Sequence, residues 1–143
     1  MARQSASPKR ASTAHPKRRF TLQQANSTLP LVKRVVADIV NTSNLIQQLH
    51  SKLEVVGPAK EQQALQIELD SAQDHLQEYE EELAGIGCEL KDRAAGLVDF
   101  IGRHQGHDVY LCWKMGEGKI EYWHEMQAGF AGRQEISTLQ ETE

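Results

Sequence analysis

The 143-residue chain is 39% apolar and 25% charged, which suits one soluble domain with a modest core and excludes a large multidomain enzyme. No run of about 18 apolar residues and no secretion-type leader is present, so a cytoplasmic protein without a membrane span is expected. Cys88 and Cys112 are too few for a disulfide framework and too far apart for a CxxC metal knuckle, so reduced thiols are expected.

The net charge of −4 conceals a division. Residues 1–19 carry Arg3, Lys9, Arg10, Lys17, Arg18 and Arg19 and no acid, leaving 10 basic against 20 acidic residues in the remainder. With Ser, Ala, Thr and Pro between those charges and no apolar periodicity, this segment cannot offset its ordering entropy and reads as a disordered basic tail. Such a tail solubilises, or makes weak contact with nucleic acid or an acidic partner. Its Arg and Ser content also has some likeness to a transit peptide, without the amphipathic repeat.

Order is expected from Phe20. Thr21 can cap the first free amides of a helix while Gln24 reaches back to the cap, and Phe20 can pack on Ala25. Pro30 lacks an amide hydrogen and disfavours helical geometry at Leu29, so the first helix should end or kink there and a second begin. Beyond it Val35, Ile39, Thr42, Ile46, Leu49 and Leu53 follow alternating spacings of four and three. Gly57 and Pro58 reverse the chain. Leu65, Leu69, Ala72, Leu76, Tyr79, Leu83 and Ile86 then repeat the pattern. This predicts a long, coiled-coil-like antiparallel helical hairpin of roughly 35 to 40 Å. Its second helix is acidic on the outside, with Glu80, Glu81 and Glu82 in a row.

After Gly87 the pattern shortens to "CELKD", "GLVDF", "DVYLCWKM" and "KIEYWHE", the last two alternating on a period of two. An α+β fold results, with a small antiparallel β-sheet after the hairpin. The expected organisation is a tail over 1–19, a hairpin over 20–86, a sheet region over 87–136 and a flexible C-terminus over 137–143.

Register bears on chemistry. A four-residue turn "GEGK" would pair Met115 with Ile120, Trp113 with Tyr122, Leu111 with His124 and Lys114 with Glu121, matching apolar partners and opposite charges. A three-residue turn would place Trp113 opposite Glu121 and mix the faces. In the preferred register Cys112 and His124 point to opposite faces, so they could not share a zinc ion or form a thiolate–imidazole pair. His124 then reads as a half-buried residue or a ligand contact, and Cys112 as a small apolar strand residue. In "RHQGH", His104, His107 and Asp108 offer metal-ligand atoms without a complete ligand set.

The stretches "FTLQQANSTLP", "GLVDF", "DVYLCWKMGEGKIEYWHE" and "AGFAGRQEI" resemble the prokaryotic family named domain of unknown function 2203. The resemblance runs from about Phe20 to Ile136 and implies a bacterial protein with a helical region followed by a motif cluster. Among its pattern positions, Asp99, Glu117, His124 and Arg133 are the candidate ligand-binding residues, and Cys112, Trp113, Trp123 and Phe130 the structural ones. Arg133 could fork onto a carboxylate or phosphate while the glycines of "GFAG" present backbone amides; alternatively these polar residues simply pair with one another.

The sequence holds no nucleophile elbow, phosphate loop, paired CxxC or HExxH, so no catalytic residue, metal or cofactor is assigned. Two classes stay open. One is a noncatalytic interaction module, homo-oligomeric through the hairpin, with Val36 and Leu45 on its interface. The other is a small-ligand or metal-binding domain, possible as an enzyme, around Asp99, Glu117, His124 and Arg133.

Overall fold

The computed structural model describes residues 17–141 except Val56. Helix α1 spans Leu22–Val55 and α2 spans Ala59–Ile86. The strands are β1 (Glu89–Asp92), β2 (Leu97–His104), β3 (His107–Lys114), β4 (Tyr122–Glu125) and β5 (Gln134–Glu135), with single 3-10 turns at Phe130–Gly132 and Ile136–Thr138. All five strands form one antiparallel meander in chain order. The expected α+β arrangement of a helical hairpin followed by an antiparallel sheet is therefore present.

The expected cap opens α1. Thr21 Oγ1 accepts the Gln24 amide at 3.0 Å and Gln24 Oε1 accepts the Thr21 amide at 2.9 Å, satisfying two otherwise free donors. Pro30, however, neither ends the helix nor divides it. The proline removes one backbone bond, and the Ser27 and Thr28 hydroxyls donate to the Gln24 and Ala25 carbonyls just before it. Ala25, Leu29, Val32, Val35, Val36 and Ile39 are all buried, so both sides of Pro30 are packed in helical register. Tertiary burial outweighs the local penalty. At 1.5 Å per residue α1 is about 50 Å long, longer than the sequence suggested.

One core fills the space between the hairpin and one sheet face. Leu76 and Leu83 of α2 join the buried α1 residues against Val98, Phe100, Val109, Leu111, Trp113 and Trp123 of the strands. The distal hairpin packs on itself, around Leu49, Leu69 and Ala72. Val36 is fully buried beneath the sheet, which removes it from any self-association surface.

Ordered chain begins before Phe20. Arg18 Nη1 donates to the Ile86 carbonyl at the end of α2, and Arg19 bridges to Ile101 on the β2 edge while forking onto Asp108 at 2.8 and 3.0 Å. Arg18 and Arg19, at the end of the expected basic tail, thus make defined contacts, and residues 1–16 of that tail lie outside the described residues. At the other end, within the expected C-terminal segment, Thr138 accepts the Trp123 indole N–H, the Gln140 amide donates to His104 Nδ1, and Glu141 accepts the Leu22 amide. This C-terminal strap ties helix start and sheet together. Among the described residues no helix is long and apolar enough to cross a membrane.

Candidate functional site

Strand register decides what meets on the outer sheet face, away from the helices. β3 and β4 pair Val109 with Glu125, Tyr110 with His124, Leu111 with Trp123 and Cys112 with Tyr122. This differs by one residue from the expected register, and a one-residue slip exchanges the two faces of a strand. Trp123 thus enters the core in place of Tyr122, and His124 comes to the same face as Cys112. The inference that Cys112 and His124 are separated is overturned.

The physical reason lies in the β3–β4 connection, which is a packed seven-residue loop over 115–121 instead of a four-residue turn. The Trp113 indole N–H donates to the Glu117 and Gly118 carbonyls, the Lys114 amide donates to Glu117 Oε1 at 2.8 Å, and the Ile120 amide donates to Asn26 Oδ1 of α1 at 2.8 Å. Ile120 is buried against the helices. Long-range anchoring of this loop outweighs the Lys114–Glu121 charge pairing that favoured the other register.

Three side chains on adjacent strands converge. Asp99 of β2 is the direct partner of Cys112 of β3, and His124 of β4 lies diagonally across. One ligand-type atom from each lies within 4.8 Å of the other two. Their exposures are 2%, 0% and 2%, so all three are shut from bulk solvent. His124 Nε2 stands 3.3 and 3.2 Å from the two Asp99 oxygens, and its Nδ1 stands 2.8 Å from the Glu125 carbonyl. Burial pushes the Asp99 carboxyl upward against the lowering influence of His124 and Cys112. Burial, reinforced by the Asp99 charge, pushes the Cys112 thiol up to about 12, with Arg133 opposing. A protonated, enclosed thiol is a poor nucleophile at neutral pH.

The other two predicted site residues form their own pair beside this cluster. Arg133 donates from both terminal nitrogens to Glu117, at 2.7 Å each, with its guanidinium 4.2 Å from the Tyr122 ring centre and 4.6 Å from that of Phe130. Burial opposes ionisation of Glu117, but the Arg133 bonds and the Lys114 amide outweigh it and hold the carboxyl below its usual range. The Arg133 guanidinium favours ionisation of the Cys112 thiol, which links the two pairs. Its Nε is buried without an acceptor among the described residues. The guanidinium fork expected for an external anion is thus occupied by Glu117. The Gly132 and Arg133 amides are committed to the Gly129 and Phe130 carbonyls of the 3-10 turn.

Sequence reasoning missed Cys112 as a partner of Asp99 and His124, because the three-residue alternative that would have brought them together mixes apolar and charged pairs. It also missed Tyr110, whose hydroxyl donates to Glu89 and whose ring centre lies 5.4 Å from that of His124. The histidines of "RHQGH" go elsewhere. His104 lies tilted against Trp123, His107 meets Glu125 at 2.9 Å, and Asp108 is taken by Arg19 and Arg103.

The molecule is a small α+β domain in which a helical hairpin backs an antiparallel meander carrying a buried Asp–Cys–His cluster. It belongs to the family of uncharacterized conserved proteins DUF2203, whose pattern matches residues 18–136. No curated protein and no solved structure matches the chain.

Proposed function

We infer that the protein is a noncatalytic interaction module of the bacterial cytoplasm that self-associates through the distal arm of its hairpin, with the sheet as a rigid end piece. The observation carrying this reading is the uneven packing of α1 and α2. Their sheet-side half buries a continuous core, whereas the distal half has a smaller cluster in which only Leu49, Leu69 and Ala72, among the described residues, are buried and Ile46, Leu53 and Leu65 are partly covered. The same arm exposes Leu45 by 37%, Ile67 by 63% and Val55 by 83%. Covering those side chains in a second hairpin removes apolar surface from water at roughly 25 cal/mol per Å². Sedimentation velocity at tens of micromolar should give a dimer for the wild type and a monomer for the Leu45→Lys, Ile67→Lys double variant, with helical circular dichroism retained in both. A monomeric wild type ends this reading.

A second reading is favoured by the Asp99–His124 contact: a small-ligand or metal-binding domain around Asp99, Glu117, His124 and Arg133. Native mass spectrometry of the purified protein should then show a bound mass that is lost in His124→Gln. An unliganded mass from cells and after incubation with metal would remove it.

A further inference from the structure

We propose that Asp99, Cys112 and His124 hold a divalent metal ion of the zinc class that ties β2, β3 and β4 together. This rests on the second reading above, and it adds Cys112 and a metal identity to it.

The tautomer of His124 carries the argument. A backbone carbonyl can only accept, so the 2.8 Å contact to Glu125 puts the ring proton on Nδ1. With that proton alone on the ring, Nε2 presents a lone pair to both oxygens of Asp99 at 3.2 and 3.3 Å. A lone pair and a carboxylate repel unless something positive lies between them. A proton can do this, and so can a cation, which can also bond the third nearby donor, Cys112 Sγ. The separation suits the cation: two donors about 2.0 to 2.1 Å from a tetrahedral zinc ion lie roughly 3.3 to 3.4 Å apart. The Nδ1–H to carbonyl bond is also the usual support that orients a metal-bound imidazole.

Charge balance and donor type narrow the ion. One thiolate and one carboxylate neutralise a divalent cation, so burial at 0–2% exposure does not leave net charge in the sheet. On binding, the sulfur–hydrogen bond of Cys112 breaks, its proton leaves to solvent, and the sulfur electron pair forms the sulfur–metal bond. A mixed nitrogen, oxygen and sulfur set favours zinc-like ions over calcium or magnesium, which prefer oxygen throughout. Arg133 fits this state as well. Its buried Nε lacks an acceptor among the described residues, and a thiolate at Cys112, whose ionisation the guanidinium favours, can receive that N–H. Three protein donors leave a fourth position for water. Because the cluster is shut from bulk solvent, the ion's part is to cross-link three strands.

Cobalt(II) added to chelator-treated full-length protein reports both metal and thiolate. The expected result is binding at one ion per chain, with intense tetrahedral d–d bands and a thiolate-to-cobalt charge-transfer band. Cys88→Ser should keep that band and Cys112→Ser should lose it. Zinc should displace the cobalt and raise the melting temperature of wild type and Cys88→Ser. Should Cys112→Ser fail to fold, the band in Cys88→Ser alone assigns the sulfur, since one cysteine remains. Cobalt bound without a charge-transfer band overturns the Cys112 assignment while leaving a metal at Asp99 and His124. Absence of both cobalt and zinc binding in the wild type overturns the proposal and the metal reading together.

Discussion

Replacing Glu117 by Gln tests whether the loop–turn clasp beside the cluster holds the sheet together. The substitution keeps size and one acceptor but removes the charge that receives both Arg133 bonds at 2.7 Å. Side-chain exposures of 12% for Arg133 and 22% for Glu117 place the pair between a surface and a buried ion pair. Hydrogen bonds to charged groups contribute roughly 1.5 to 3 kcal/mol when shielded, and partial solvent screening reduces this, so the expected loss is about 2 kcal/mol. For a domain of this size that is a fall of roughly 6 to 10 °C in melting temperature. The sign with pH follows from the depressed Glu117 carboxyl. A group held below its unfolded value stabilises the fold above that value, and the contribution disappears as pH falls through the folded value. The gap between wild type and Glu117→Gln in urea titrations should therefore be constant near neutrality and close in the acid range. A loss under about 0.5 kcal/mol at neutral pH, or a gap unchanged after acidification, would refute the clasp.

Two other perturbations follow from the same structure. Removing residues 1–19 should lower the melting temperature relative to a chain beginning at Lys17, because only the former loses the Arg18 bond to Ile86 and the Arg19 fork onto Asp108; equal melting curves would show those contacts to be inert. Gly102→Ala places a methyl 2.9 to 3.1 Å from three Leu111 side-chain atoms in the core, so a loss of about 1 to 3 kcal/mol in chemical denaturation is expected, and unchanged stability would contradict the packing of β2 on β3.

Local signals and long-range signals fared differently in the sequence. The Thr21–Gln24 cap and the Leu69, Ala72, Leu76 and Leu83 stripe were legible because they are set by neighbours within one helical turn. Pro30 misled because its penalty is local whereas the burial of Leu29 and Val32 on either side is tertiary. Asp99, Glu117, His124 and Arg133 could be named as polar members of a motif. Their arrangement into an Asp99–His124 contact and a Glu117–Arg133 clasp depends on register, and no pair of adjacent residues encodes that. Cys112 belonged with His124 only if the strand connection was a loop anchored elsewhere, and that anchor sits nearly a hundred residues away in α1.

That anchor is Asn26, and its removal is the sharpest test of what sets the register. Asn26 Oδ1 accepts the amide of Ile120, a residue 1% exposed, at 2.8 Å. In Asn26→Ala the amide loses its acceptor with no route to solvent, and leaving a buried donor unpaired costs about 1 to 3 kcal/mol. Asn26→Asp keeps an acceptor and should retain most of the stability. Hydrogen exchange separates a register anchor from an ordinary buried bond. In Asn26→Ala protection should fall at Ile120 and along the 115–121 connection, then spread to the β4 amides that pair with β3, while the β2–β3 ladder keeps its protection. If the Ile120 amide stays protected and stability stays within about 0.5 kcal/mol of wild type, the helix does not hold this loop, and another contact must explain how Cys112 and His124 share a face.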